Sequence, residues 1–193
     1  MVLHLIASAT ADEPGTGTGE TTLSFLNGID GVVLDNTFNE YQFYFVNMHP
    51  ENDEDAFGFQ VNAAGGSGFN ERITSTLFAS YHRSNDSGTP NVSYEAGSDQ
   101  AEGVLYQPLA DYVMDDADNG ASGVLTLYDP SSPTYITHFV GRSQAIAPSG
   151  VIRTSVEQYA AGYINTASAI DEISFAMDTG NIDAGTIYMY GVG

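Results

Sequence analysis

The run Asp115-Asp-Ala-Asp-Asn-Gly120 comes closest in this chain to a known ligand-binding pattern. Carboxylates and an amide ahead of a glycine are what a calcium loop uses: hard oxygen donors at alternate positions, then a residue that permits the sharp turn. With Gly120 at the sixth position, however, the third falls on Ala117 and the twelfth on Thr126. Alanine offers no side-chain oxygen, and the bidentate glutamate that closes such a loop is missing, so an EF-hand is excluded. A looser surface cation site at Asp115, Asp116 and Asp118, or at Glu51, Asp53 and Asp55, stays open beside the commoner state of such runs, a solvated acidic turn.

The other residue types that carry chemistry are scattered. His4, His49, His82 and His138 include no pair three or four residues apart, the spacing that sets two imidazoles on one helical face. His82 and His138 fall within expected strands and could meet across a sheet; packed beside tyrosines, they read more simply as satisfied imidazoles. Gly65-Gly-Ser-Gly68 lacks the spacing and the strand-to-helix setting of a nucleophile elbow. Carboxylates are so abundant that no pair is singled out as the acid and base of a glycosidase. No catalytic residue, metal ligand or cofactor site is assigned, and the chain reads as non-enzymatic. The four arginines, Arg72, Arg83, Arg142 and Arg153, are each expected to pair with carboxylates in fork-shaped bridges. Tyrosine is in surplus, at twelve. Tyr188 and Tyr190 share one strand face, as core or as an interface. Tyr81, His82 and Tyr94 flank a long polar loop and are the candidate contacts for a sugar ring.

Composition limits the partners. A net charge of −21, from 25 acidic residues against four arginines and no lysine, repels phosphate and excludes a nucleic-acid or anionic-membrane binder. It suits a cation-rich medium or a basic partner, and it makes self-association dependent on salt. Ten phenylalanines and 42% hydrophobic residues argue against disorder. Without cysteine there is no disulfide or thiolate site. The opening Met1-Val-Leu-His-Leu-Ile-Ala7 lacks the positive flank and apolar length of a secretion signal, and no run is long enough to span a membrane as a helix. Assembly inside the cell that makes the protein is the expectation.

The elements that must position these residues are strands. Gly123-Val-Leu-Thr-Leu-Tyr128 and Gly185-Thr-Ile-Tyr-Met-Tyr190 both run from a glycine to a tyrosine five positions on, and alternating segments like them recur throughout. Strands are expected at 3–7, 41–46, 57–61, 74–82, 123–128, 134–140, 156–164, 172–177 and 186–190, with short apolar pieces at 22–25 and 32–34 and a brief strand at 92–94. In 41–46, Tyr41, Phe43 and Phe45 alternate with Gln42, Tyr44 and Val46, so both faces are expected to be partly covered. Residues 83–103 form a long polar crossing. Residues 105–114 are ambiguous, since Leu109 and Val113 stand four apart as in a short helix. Ten to twelve strands and no secure helix predict a single all-β domain over 1–193, an antiparallel β-sandwich of jelly-roll type, with residues 1–20 as an attachment segment.

Four segments carry a family resemblance. They are Phe38-Asn-Glu-Tyr-Gln-Phe-Tyr-Phe-Val-Asn-Met-His-Pro50, Phe78-Ala-Ser-Tyr-His82, Ala121-Ser-Gly-Val-Leu-Thr-Leu-Tyr-Asp-Pro-Ser-Ser-Pro-Thr-Tyr135 and Phe175-Ala-Met-Asp-Thr-Gly-Asn-Ile-Asp-Ala-Gly-Thr-Ile-Tyr-Met-Tyr-Gly191. Over about 25–191 the chain resembles structural proteins of tailed bacteriophages that infect marine bacteria and cyanobacteria, and the closing phrase is its most specific part. The resemblance implies a virion component of the tail, fibre or capsid-decoration kind, assembled in the host cytoplasm and contacting other virion proteins and copies of itself. It carries no catalytic residues. The alternative is a receptor- or glycan-binding module of a fibre, with a host-surface glycan as partner.

Overall fold

The computed structural model describes residues 2–11, 19–149 and 152–193. Among them there are thirteen strands and no helix: β1 Leu3–Ala11, β2 Leu23–Leu26, β3 Glu40–Pro50, β4 Asp55–Ala63, β5 Ile73–Arg83, β6 Asn91–Tyr94, β7 Ala101–Gly103, β8 Gln107–Val113, β9 Ala121–Tyr128, β10 His138–Ser149, β11 Ile152–Ile164, β12 Ile170–Met177 and β13 Ile182–Val192. All pairings are antiparallel. A nine-stranded sheet runs β1-β13-β3-β9-β10-β11-β5-β6, with β7 also on β5; a four-stranded sheet runs β2-β12-β4-β8. The two face each other as a sandwich.

The pairing is nested. β1 pairs with β13, β2 with β12, β3 with β9 and β4 with β8, so early strands meet late ones in reverse order. Two excursions interrupt the nest. One, between β4 and β8, contains β5, β6 and β7; the other, between β9 and β12, contains β10 and β11. Both add to the same edge of the larger sheet, which therefore extends past the end of the smaller one.

Between the sheets lies a phenylalanine-rich core. Phe43, Phe45 and Phe139 from the larger sheet meet Phe25, Phe57, Phe59 and Phe175 from the smaller, all at most 1% exposed. Phe59 meets Phe139 edge-on at 5.0 Å between ring centres, and Phe25 meets Phe43 at 5.5 Å. Each such ring contributes about 1.5–3 kcal/mol by leaving water. The alternation of β3 puts Tyr41, Phe43 and Phe45 in this core, while Gln42, Tyr44 and Val46 face outward. Among the described residues no strand layer covers that outward side.

Buried amides tie the excursions to the nest. Gln158 of β11 reads the β8 backbone as a strand neighbour would, accepting from Asp111 N at 2.9 Å and donating to Asp111 O at 3.1 Å. Gln107 Oε1 accepts from Ser75 Oγ, and its Nε2 donates to Ser98 O. Gln60 donates to the carbonyls of Glu71 and Leu105.

Several expectations need correction. Residues 105–114 contain a strand, β8, because the backbone of 107–113 pairs with β4; a spacing of four puts Leu109 and Val113 on one side of a strand as well as of a helix, and both are buried. The strand expected at 134–140 begins only at His138 and continues to Ser149. The apolar piece 32–34 forms no strand, although Val32 and Leu34 are buried. Part of the expected attachment segment, 2–11, is built into the larger sheet through β1; residues 12–18 lie outside the described residues. The two Gly-to-Tyr strands owe their glycines to different causes. A Cβ on Gly123 would stand 2.6 Å from the Phe45 ring, whereas Gly185 has φ 127° where β13 shifts register against β3.

Candidate functional site

Two regions of the larger sheet gather unusual side chains: its outer face and the underside of its overhanging end. On the outer face the strand registers align Ser8, Tyr188, Tyr44, Val124, Arg142, Tyr159, Phe78 and Tyr94 as one row across eight strands. Residues directly opposite in antiparallel strands point to the same side, so this row is a continuous surface feature. The next row includes Tyr190, Gln42, Thr126, Val140, Ala161 and Thr76. Tyr159 stacks on Phe78 at 5.0 Å with 11° between planes, and the Arg142 guanidinium lies 5.5 Å from its centre. Arg142 Nε donates to Glu157 Oε1 at 2.7 Å, which also accepts from Tyr159 Oη at 3.0 Å. Those bonds hold the Glu157 carboxyl below its ordinary pKa, Arg142 being the larger cause, and push the Tyr159 phenol up. Tyr188 and Tyr190 both lie here, with Ile187 and Met189 behind them in the core; Tyr190 meets Tyr44 edge-on at 5.6 Å. Through these rows and the next on either side, the charged residues on β13, β3, β9, β10 and β11 are Glu40, Arg142 and Glu157. Over those five strands the face is nearly neutral in a chain of −21.

The underside is different. Near its start, β5 is covered by residues 95–107, with Glu95 N donating to Leu77 O and Ser75 N to Gln100 O. Towards Arg83 this cover ends, leaving a cavity of about 600 Å3. Tyr81, Arg83, Asn91, Ser93 and Glu95 line it from β5, β6 and the segment between and after them; Tyr112 enters from β8, Glu54 from the turn before β4, and Ala147 and Thr154 from β10 and β11. Ala79, Ala147 and Val156, with Tyr81 against them, form a small apolar cluster separate from the main core. Tyr81 Oη donates to Glu95 Oε1 at 2.7 Å, and burial together with that carboxylate pushes the phenol pKa far up. Asp111, just before Tyr112, accepts from Ser98 Oγ, yet burial raises its pKa and the Glu95 charge adds to the rise. Tyr112 itself is 44% exposed and has φ 60°, an uncommon conformation for a bulky residue.

The structure separates the sequence-derived sugar contacts. Tyr81 and His82 border the cavity, but Tyr94 stands on the outer face, its hydroxyl bonded to Asp99. His82 Nε2 lies 3.4 Å from Asp86 Oδ1. His82 and His138 do not meet, because they lie opposite Ser155 and Tyr163, far apart along β11. Arg72, Arg142 and Arg153 pair with Glu102, Glu157 and Asp118 as expected; among the described residues Arg83 forms no ion pair. The acidic runs serve the fold. Asp118 holds Arg153, Asp116 accepts from Asn119, Glu51 accepts from Asn181 N, and Asp55 accepts from Ala56 N and Thr179. Among the described residues no cluster of three metal-ligating side chains forms. Tyr112, Glu54 and Glu95 were missed by sequence reasoning, since their convergence depends on β8 being a strand.

The chain matches no family model, no curated protein and no solved structure.

Proposed function

We propose that this chain is a non-enzymatic structural protein of a tailed-phage virion. It is assembled in multiple copies in the host cytoplasm, as a capsid decoration or a tail or fibre component. The open face of its larger sheet is the contact surface for neighbouring copies. The observation that carries this reading is the tyrosine-rich row from Tyr188 to Tyr94, which no second layer covers among the described residues. Contiguous apolar and aromatic surface marks protein contact, and tyrosine supplies much of the energy at such contacts. The near-neutral charge of the face also counts, since two copies of a −21 chain repel least where their charge is thinnest. Against a sugar platform stands the packing of the row, because Tyr159 has one ring face on Phe78 and the other under Arg142.

The nested pairing of β1, β2, β3 and β4 with β13, β12, β9 and β8 is read as a jelly roll with two excursions. Jelly rolls recur in viral capsid and lectin domains, which supports the reading as a fold-level analogy. The virion assignment itself rests on the resemblance over residues 25–191.

The test is density for the intact particle, with a Tyr188→Ala, Tyr190→Ala double variant beside it. Copies packed through this face, on the shell or along the tail, are the expected result, with loss of assembly in a variant that still folds. Copies whose larger sheet faces solvent, or normal assembly of the variant, overturn the proposed contact. Finding no copies in the particle overturns the virion assignment.

A further inference from the structure

We propose that the cavity under the overhanging end of the larger sheet binds a neutral saccharide of one or two rings. Its size, about 600 Å3, lies in the range of small-molecule sites. Its chemistry is two-sided, as a sugar is. The Tyr81 and Tyr112 rings and the Ala147 methyl offer apolar surface to a sugar's C–H face. Around them Glu54, Arg83, Asn91, Ser93 and Glu95 offer donors and acceptors to its hydroxyls.

Three further observations support this site. First, the Tyr81 hydroxyl fixes Glu95 through Oε1, while Glu95 Oε2 accepts no hydrogen bond among the described residues and is left for a ligand hydroxyl. Second, Arg83 is the arginine without an ion pair among the described residues, so its guanidinium donors remain available at the cavity wall. Third, Glu54 (φ 57°), Asp86 (φ 55°) and Tyr112 (φ 60°) all hold left-handed backbone and all line this cavity. Non-glycine residues held in that region cluster at ligand sites, where the surrounding structure supports the strain. The charge selects the class. Glu54, Asp86 and Glu95 outnumber Arg83, so an anionic sugar is repelled and a neutral one is accepted.

This site is separate from the outer face, and neither proposal depends on the other. The test is a glycan array carrying neutral oligosaccharides beside uronate- and sialate-containing ones, followed by calorimetric titration of the tightest neutral saccharide. Tyr112→Gly removes the ring at a position where glycine is unstrained, so the fold is retained; Glu95→Gln removes the charge and keeps the size. Binding to neutral saccharides is expected, weakened at least about tenfold by Tyr112→Gly, reduced by Glu95→Gln and unchanged by Tyr188→Ala. The proposal is overturned if no neutral saccharide binds at millimolar concentration, if only acidic ones bind, or if Tyr112→Gly binds as tightly as the parent. Should Tyr112→Gly lose its cooperative unfolding, Glu95→Gln decides in its place, and unaltered affinity there overturns the site.

Discussion

On its outer side the larger sheet presents Arg142, Tyr159 and Phe78 packed on one another, each using its neighbours as partners. On its inner side, past the smaller sheet, Tyr81 and Tyr112 stand in a cavity without an aromatic partner among the described residues, beside an arginine without an ion pair. The outer row rests on regular strand backbone; the cavity wall includes three left-handed residues. Side chains that satisfy one another make a broad, stable surface suited to a flat partner. Groups left unsatisfied and held by strained backbone fit a small ligand that enters among them. The difference arises from topology, because the excursions lengthen one sheet and leave the other short.

The largest expected effect tests the join between the two regions. Gln158 is 1% exposed and bonds both the N–H and the C=O of Asp111. Gln158→Leu leaves both backbone groups buried without partners and is expected to lower stability by about 2–4 kcal/mol in urea unfolding. It also frees the end of β8 that carries Tyr112, so saccharide binding falls with stability. A loss below about 1 kcal/mol would show that apolar packing alone docks the overhang.

Most of the architecture is legible in the sequence because period-two alternation is a local signal. Tyr41, Phe43 and Phe45 point inward as their spacing requires, and the turn residues at Pro50 and Gly180 fall where strands end. Alternation does not say which strands pair. The nesting of β1 with β13 and β4 with β8 brings together residues far apart in the chain, and so does the row from Ser8 to Tyr94. The spacing in β8 misleads because four residues mark one face of a strand as well as of a helix; the register shift against β4, where Tyr112 is turned into the cavity, left no trace in the sequence. Tyr81 and His82 were visible as neighbours of a polar loop. Glu54 and Tyr112, which close the cavity from other strands, gave no local signal.

A smaller effect, read through pH, separates the buried Asp111 carboxyl beside Tyr112 from the exposed ion pairs. Burial holds the Asp111 carboxyl above its ordinary pKa, so the folded chain keeps a proton that the unfolded chain has released. By linkage, its contribution to stability is greatest below the ordinary value of 3.8 and falls as pH rises from there through the folded pKa. Asp118 and Glu157 work in the opposite sense. Their pKa values are depressed by Arg153 and Arg142, and their stabilisation is lost as pH falls through the folded values. Comparing Asp111→Asn with the parent across acid pH isolates the first effect. The variant is expected to be the more stable at neutral pH, with the gap closing as pH is lowered; a parallel pair of pH–stability curves would rule out a raised Asp111 pKa.

The smallest expected effect concerns the outer face. In Arg142→Gln the bond to Glu157 and the guanidinium over Tyr159 are both lost. The Arg142 side chain is 63% exposed and the Glu157 side chain 34%, so water replaces the broken contacts and salt already screens them. The isolated chain should therefore melt at the parent's temperature, and saccharide binding in the cavity should not change. Assembly is where the substitution tells. If copies meet through this face, docking strips water from Glu157 while the charge that balanced it is gone, and an unpaired carboxylate in an interface is strongly unfavourable. Assembly that fails in a variant of unaltered melting temperature would place the contact at this row. A clear drop in melting temperature would instead make the row a structural device of the monomer, and assembly at the parent's level would move the contact elsewhere.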